Sequence, residues 1–172
     1  MAAVLHRKFA INALCFIRTN GSVLSTDFRL LRGAKNYKVN NGDADEIDTT
    51  THDSLANLKE SIMGLRAQGE FSADVKLNFN TSATAVTGEN LLNGLQPALF
   101  ASQGTDDEYE IVLTLAKTTS ITALPATPPT DRTYLTFTAK VKSFPVEAPH
   151  DADHETTITF LLTSKAVLTT TV

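Results

Sequence analysis

The sequence has no tryptophan, one cysteine, two methionines and four histidines in 172 residues. A single thiol, Cys15, excludes an internal disulfide and a cysteine-based zinc site. Basic residues are in deficit, with 15 Lys and Arg against 19 Asp and Glu, for a net charge of −4 and a pI near 5.5. That balance argues against a dedicated nucleic-acid binder, which gathers a basic surplus on one face. Apolar runs fall far short of the roughly 18 residues needed to cross a bilayer, so no membrane insertion is expected. No Gly-x-Ser-x-Gly elbow or phosphate-cradling Gly-rich loop occurs, and the only histidines available to a catalytic triad are His6, His52, His150 and His154. A glycosidase pair of carboxylates would come with aromatic sugar platforms, whereas the nine Phe and three Tyr fall mostly on core faces. The chain reads as a non-enzyme with no cofactor and no metal.

Threonine is abundant, at about one residue in seven. It favours strands and makes a polar face without charge. The length suits one domain, residues 1–172, able to bury roughly 70% of its unfolded surface. At the N-terminus, His6-Arg7-Lys8 precedes the apolar stretch Phe9 to Ile17, a superficial likeness to a signal peptide. Asn12 interrupts the stretch, Arg18 closes it and no small-x-small cleavage site follows, so it reads as a first strand buried on both faces.

Thr19-Asn20-Gly21-Ser22 predicts a type I′ hairpin turn, with a return strand from Val23 to Leu31. Residues 33–54 are polar and without visible period, which predicts a loop either functional or disordered when the domain is alone, and the long assembly loop is placed at about 33–62. Within that region Leu55, Leu58, Ile62 and Met63 have helical spacing after a cap at Asp53 or Ser54. Val75, Leu77 and Phe79 alternate with Lys76, Asn78 and Asn80 in a half-buried strand. Leu91, Leu92, Leu95 and Leu99 predict a helix closed by Gly104 and disturbed at Pro97. Three more strands follow, around Tyr109–Leu115, Leu135–Val141 and Ile158–Leu162, the last two with outward faces rich in Thr and Lys. The segment Pro125 to Pro129 is a stiff loop. The fold class is therefore mainly β: a sandwich or barrel of about seven strands with one flanking helix, a long inter-strand loop and an unplaced Thr-rich tail at about 164–172.

Two clusters contain ligand-type residues. His150-Asp151-Ala152-Asp153-His154-Glu155 holds two histidines at i, i+4, but Pro149 before it and a β-branched strand after it make it a hairpin tip, without the helical register zinc would use. Asp43, Asp45, Glu46 and Asp48 lack the spacing of a calcium loop and read as an acidic loop awaiting a partner.

Three stretches together resemble the major tail tube proteins of tailed bacteriophages. Gly42-Asp-Ala-Asp-Glu-Ile-Asp-Thr-Thr-Thr-His-Asp-Ser54 resembles that family's acidic loop, and Ile62-Met-Gly-Leu-Arg-Ala-Gln-Gly-Glu-Phe-Ser72 its Gly-Leu-x-x-x-Gly-x-x-Ser lead into a strand. Thr136 to Ala148, followed by His150 to Phe160, is similar to its Ser-Phe-x-Val-x-Ala-Pro signature, acidic turn and Thr-rich strand. Order and spacing agree over roughly residues 33–170. The resemblance implies a virion tail component, assembled in the host bacterial cytoplasm, whose hexameric rings stack into a hollow tube. It also implies passage of duplex DNA and the tape-measure protein, and a tail terminator as partner. A tail terminator, a head–tail joining ring and the tube of a related contractile injection system are the neighbouring readings. A monomeric ligand-binding β-domain and a hydrolase are the readings outside the virion.

Simple physics suits such a tube. Sheet edges need partners, a repeated heterologous contact closes a ring, and an axial contact that does not close makes a filament. The expected inter-ring contacts are Asp43, Asp45, Glu46, Asp48, Thr50, His52 and Asp53. The expected lumen- or interface-facing residues are Lys76, Asn78, Thr136, Thr138, Lys140, Thr157 and Thr159. A bore for DNA has to avoid gripping a polyanion. Lys76, Lys140 and Lys142 are accordingly expected to pair with carboxylates across subunits.

Overall fold

The computed structural model describes residues 13–22, 27–48, 61–77, 95–115, 127–129, 132–146 and 155–169. Their elements, in chain order, are β1 (Leu14–Thr19), β2 (Arg29–Leu30), β3 (Ala34–Asn40), β4 (Ala44–Asp48), β5 (Ser61–Arg66), β6 (Glu70–Lys76), α1 (Leu95–Ala101), β7 (Glu108–Thr114), β8 (Tyr134–Ser143), β9 (Glu155–Leu162) and β10 (Val167–Thr169). Eight strands form one antiparallel sheet along the path β2-β1-β7-β8-β9-β6-β3, with β10 paired to β8, while β4 and β5 pair with each other. The mainly β expectation holds, with more strands than the seven foreseen. The sheet is curled and not closed.

Its curl follows from connectivity. Laid flat, a seven-strand path would hold its end strands about 29 Å apart at the usual inter-strand spacing. Yet β2 and β3, the two ends, are joined by Leu31, Arg32 and Gly33 alone, a link whose reach is about 14 Å. The Leu31 N–H donates to the Cys15 carbonyl on β1 (2.8 Å), and the Lys76 N–H on β6 donates to the Gly33 carbonyl (3.1 Å). One run of chain therefore leaves one end of the sheet and joins the other, wrapping the sheet around a single core.

Alternation supplies that core. Phe71, Ala73 and Val75 of β6, Phe137, Ala139 and Val141 of β8, and Ile158, Phe160 and Leu162 of β9 all point inward. Phe71 lies at the centre, its ring 5.2 Å from Phe137, 5.5 Å from Phe160 and stacked 6.3 Å from Tyr37. Leu95 and Leu99 of α1 plug one end. Pro97 stands in the first turn of this seven-residue helix, where a missing N–H is tolerated. The outer side of β1 is also buried, as its two-faced apolar pattern predicts: Leu14, Phe16, Phe28, Leu30 and Val112 form a second cluster.

Several local expectations are corrected. The turn at Thr19–Ser22 closes through Ser22 N–H to the Thr19 carbonyl (3.3 Å), but of its two central residues only Gly21 has positive φ (86°). That is the type II pattern, since type I′ needs both central residues left-handed. Residues 33–62 are not one loop, because β3, β4 and the start of β5 lie within them. Ile62 and Met63, assigned by spacing to a helix, are strand residues, paired with Ile47 and Glu46. The rest of that proposed helix, the first strand before Ala13, residues 23–26 of the return strand and residues 88–94 of the second helix lie outside the described residues. The Thr-rich tail contributes β10, which continues the lane of β9 along β8 after an interruption at residues 163–166.

The β3–β6 pairing and the β4–β5 pairing form one ribbon. Val39 faces Phe71, Asn40 faces Glu70 and Ala44 faces Arg66, while Ala67 N–H donates to the Asp43 carbonyl between them (2.7 Å). The sheet ends at the root of β6, and β4–β5 projects beyond it as an arm of about 16 Å. The root is pinched: a Cβ on Gly42 (φ +76°) would sit 2.0 Å from the Ala67 carbonyl oxygen, and one on Gly69 2.4 Å from that of Asn40. Gly42→Ala is therefore expected to lower unfolding stability by about 2 kcal/mol or more, or to unpair the arm's root. Urea denaturation together with amide exchange of Ala67 checks both outcomes.

Candidate assembly surface

The outward side of the sheet divides in two. Around β1, β2 and β7 it is apolar, and with Thr127, Pro128, Pro129, Tyr134 and Thr136 it lines a groove of about 390 Å³ that also includes Glu110. Across β8, β9, β6 and β3 it is polar and charged, because the residues between the core positions are Thr, Ser, Lys, Asp and Glu.

On this polar tract the register brings opposite charges together. Lys140 Nζ lies 2.8 Å from Asp106 Oδ1, and Lys142 Nζ meets Glu70 Oε1. Lys35 Nζ reaches Glu155 Oε1 at 2.8 Å, while beside the tract, between β1 and β7, the part-buried Arg18 Nη2 reaches Glu110 Oε2 at 2.6 Å. Asp74 accepts from Thr157 Oγ1 (2.6 Å) and Asn36 Nδ2 (2.9 Å). Those two hydrogen bonds, that of Thr157 foremost, hold the Asp74 carboxyl below its usual range, and the charge of Lys35 adds to them. The hydrogen bond from Lys140 likewise lowers Asp106, and the same contact raises Lys140. Exposed pairs of this kind contribute little to stability. Their effect is to set the charge of the surface.

Of the residues predicted for this surface, Lys76, Thr138, Lys140, Thr157 and Thr159 share the polar tract. Lys76 stands at the far end of β6, opposite Glu155. Thr138 bonds Thr163 through their hydroxyls (2.8 Å), and its N–H donates to Ser164 Oγ (2.8 Å). Thr136 has the same facing but borders the apolar groove. Lys140 and Lys142 do pair with carboxylates, but within the chain, which corrects the expectation of pairing across subunits. Asp43, Asp45, Glu46 and Asp48 lie at the root and along the first strand of the arm. Asn78, Thr50, His52 and Asp53 lie outside the described residues, as does most of the His150–Glu155 cluster. Sequence reasoning did not find Glu70, Asp74 and Asp106, and saw Glu155 only as part of the His150–Glu155 cluster, since each is identified by a neighbour distant in sequence. The one available signal was the alternation of Glu70, Ser72, Asp74 and Lys76 with core residues.

β3, an end strand, carries a guard. Its register shifts between Lys35 and Lys38, and Asn36 there is left-handed (φ 52°), held by Asp74. A bulge flanked by lysines obstructs pairing with another strand. Among the described residues β10 pairs with β8 alone, and Val167 and Leu168 on it are exposed.

Charge is also partitioned along the chain. Residues 43–66 hold six carboxylates and two basic residues, a difference equal to the whole net charge of −4, so the remainder is formally neutral. Among the described residues no three His, Cys, Asp or Glu gather as a metal site, and no helix is long and apolar enough to cross a membrane.

A curled sheet with ion pairs across its polar face, end strands that have a single strand partner among the described residues, and a projecting two-stranded arm has the features of a structural subunit. Residues 18–172 match the family described as phage tail tube, TTP, lambda-like, and the chain belongs to that family. It is a family of structural tail proteins of phage virions, which is not an enzyme class. No curated protein matches the sequence. Among solved structures, the fold is similar to a chain of the anti-feeding prophage baseplate, 6-fold symmetrised (8% identity over 92% of this chain and 93% of the other, TM-score 0.54). It is also similar to a chain of the virion of a native gene transfer agent (12%, 90% and 95%, TM-score 0.51). A third likeness is to a chain of the tail of an empty gene transfer agent particle refined with C6 symmetry (12%, 91% and 94%, TM-score 0.50).

The depressed Asp74 carboxyl gives a prediction with a definite sign. Its hydrogen bonds add stability that is fully present above the ordinary carboxylate range and is lost as pH falls through the lower folded-state value. Asp74→Asn is therefore expected to be less stable than the parent at pH 7 and to lose less on acidification. Thermal melts between pH 7 and pH 2.5 compare the two slopes.

Proposed function

We propose that the chain closes into rings of six that stack into a hollow tail tube, and that the polar tract lines the bore through which duplex DNA leaves the particle. The observation that carries this reading is the matching of cations to carboxylates across a Thr-rich face. Duplex DNA presents about one negative charge per 1.7 Å of axis, so a bare lysine wall would hold it through counterion release. A hydroxylated wall on which Lys35, Lys140 and Lys142 are already paired with carboxylates wets the bore with less grip on its cargo. Thr136, Thr138, Lys140, Thr157, Thr159, Lys76 and Asn78 are the residues assigned to that wall or to its subunit joints.

The arm is assigned to the contact between rings, with Asp43, Asp45, Glu46, Asp48, Thr50, His52 and Asp53 as its acidic and polar contacts. A two-stranded ribbon is marginal by itself in water, and one that protrudes from the sheet gains stability by docking on a neighbour. Its charge makes stacking sensitive to ionic strength. Ring closure is assigned to the sheet edges other than the guarded β3, at β2 and β10, where unpaired backbone groups can be shared between copies. Six is the symmetry used for the gene transfer agent tail and the anti-feeding prophage baseplate to which the fold is similar. The tape-measure protein inside the tube and a tail terminator at its end complete the set of partners.

Electron microscopy of the concentrated protein tests the reading. Long uniform tubes are expected, whereas isolated rings would indicate a terminator or joining protein and monomers a stand-alone domain. Replacing residues 44–66 by a tight turn is expected to leave rings that do not stack. In assembled tubes, Glu70→Gln with Asp106→Asn is expected to raise DNA retention in a filter assay at 50 mM salt, and the retention is expected to fall steeply by 200 mM.

A further inference from the structure

Four large apolar side chains are exposed among the residues whose side chains are described: Phe100 (49%), Val146 (39%), Val167 (55%) and Leu168 (57%). They occupy opposite poles of the subunit. β6 runs from Glu70, at the root of the arm, to Lys76, whose carbonyl accepts from Gln96 Nε2 of α1 (3.3 Å). The α1 pole holds Phe100, whose ring is 5.9 Å from that of buried Phe144, and Val146 two residues further on. Phe144 N–H donates to Gln103 Oε1 (2.9 Å), and Thr156 Oγ1 donates to the Pro145 carbonyl (2.5 Å), so this segment is fixed against α1 and the start of β9. The arm pole holds Val167 and Leu168, on a strand paired with the first residues of β8, and the preceding Ala166 N–H donates to Asn41 Oδ1 at the arm's root (2.9 Å).

We propose that these two patches are the halves of one head-to-tail contact, in which Phe100 and Val146 of one copy seat against Val167 and Leu168 of the next copy along the tube axis. The inference rests on the reading of the chain as a stacked tube, and it adds an apolar contact beside the charged arm. The occupant is a second copy because the patches differ, lie at opposite ends and are each too small to bind unaided, while a repeated contact between unlike surfaces extends without closing. Neither patch contains a charge, whereas the segment 43–66 accounts for the chain's whole net charge. Apolar groups exposed side by side at each end of the subunit are candidates for contact sites.

The test begins with the parent protein under tube-forming conditions, because absence of parent tubes defeats the tube reading itself. Where the parent forms tubes, Phe100→Asp and Leu168→Asp are expected to stay folded by circular dichroism, to form rings and to shorten tubes by more than about tenfold. The native thiol is buried, so introduced cysteines report cleanly. Variants carrying Phe100→Cys or Val146→Cys, mixed with variants carrying Val167→Cys or Leu168→Cys and assembled under oxidation, are expected to give a disulfide-linked heterodimer in at least one pairing. Tubes of parental length from both Asp variants, or assembled tubes in which none of the four pairings links, would overturn the proposal. If an Asp variant does not fold, the cysteine pairings decide.

Discussion

Joining the two ends of a seven-strand path through Leu31, Arg32 and Gly33 is the constraint on which the rest of the molecule depends. No flat sheet satisfies so short a link, and the curl it imposes gives the protein one inside and one outside. The inside is filled by alternate residues of every long strand around Phe71. The outside inherits the other alternate positions, so the chemistry of the exterior is fixed by the same period that builds the core. Function in this fold is written on the positions that packing leaves over.

Those positions are used in two ways. On the sheet, cations and carboxylates are brought into register and neutralise one another. On the arm, carboxylates accumulate with few bases among them. A body without net charge and an acidic extension make a subunit whose electrostatics act at a distance mainly through one element. The pinch of Gly42 and Gly69 separates the two regimes, because the close approach of the backbones there leaves no room for side chains.

Much of this was legible in the residues themselves. The alternating runs at Phe71–Leu77, Leu135–Val141 and Ile158–Leu162 identified three central strands and their inward faces, and the two-faced pattern of β1 anticipated the second apolar cluster. β3 and β4 escaped because their apolar content is low: Tyr37, Val39 and Ile47 are separated by Lys and Asn or by Asp and Glu, and the Asn36 bulge breaks the period where alternation would have shown. Ile62 and Met63 were misassigned because short apolar groups fit a helix and a strand equally well, and only pairing with β4 decides between them. On the candidate surface, the lysines and threonines were visible as outward residues of strands. Their carboxylate partners were not, since Lys142 meets Glu70 and Lys35 meets Glu155 across separations that no local pattern encodes.

The left-handed Asn36 has a bearing on the life of the subunit before it is incorporated. A tail component is made in many identical copies, and every one must remain dispersed until its place in the particle is ready. An uninterrupted β3 would offer each newly made molecule a template for disordered aggregation. The kink, held by Asp74 and bordered by two lysines, makes that edge a poor template. Solubility in the waiting pool is thereby built into the backbone of one strand, and the chain can keep sticky surfaces elsewhere for use at the right moment.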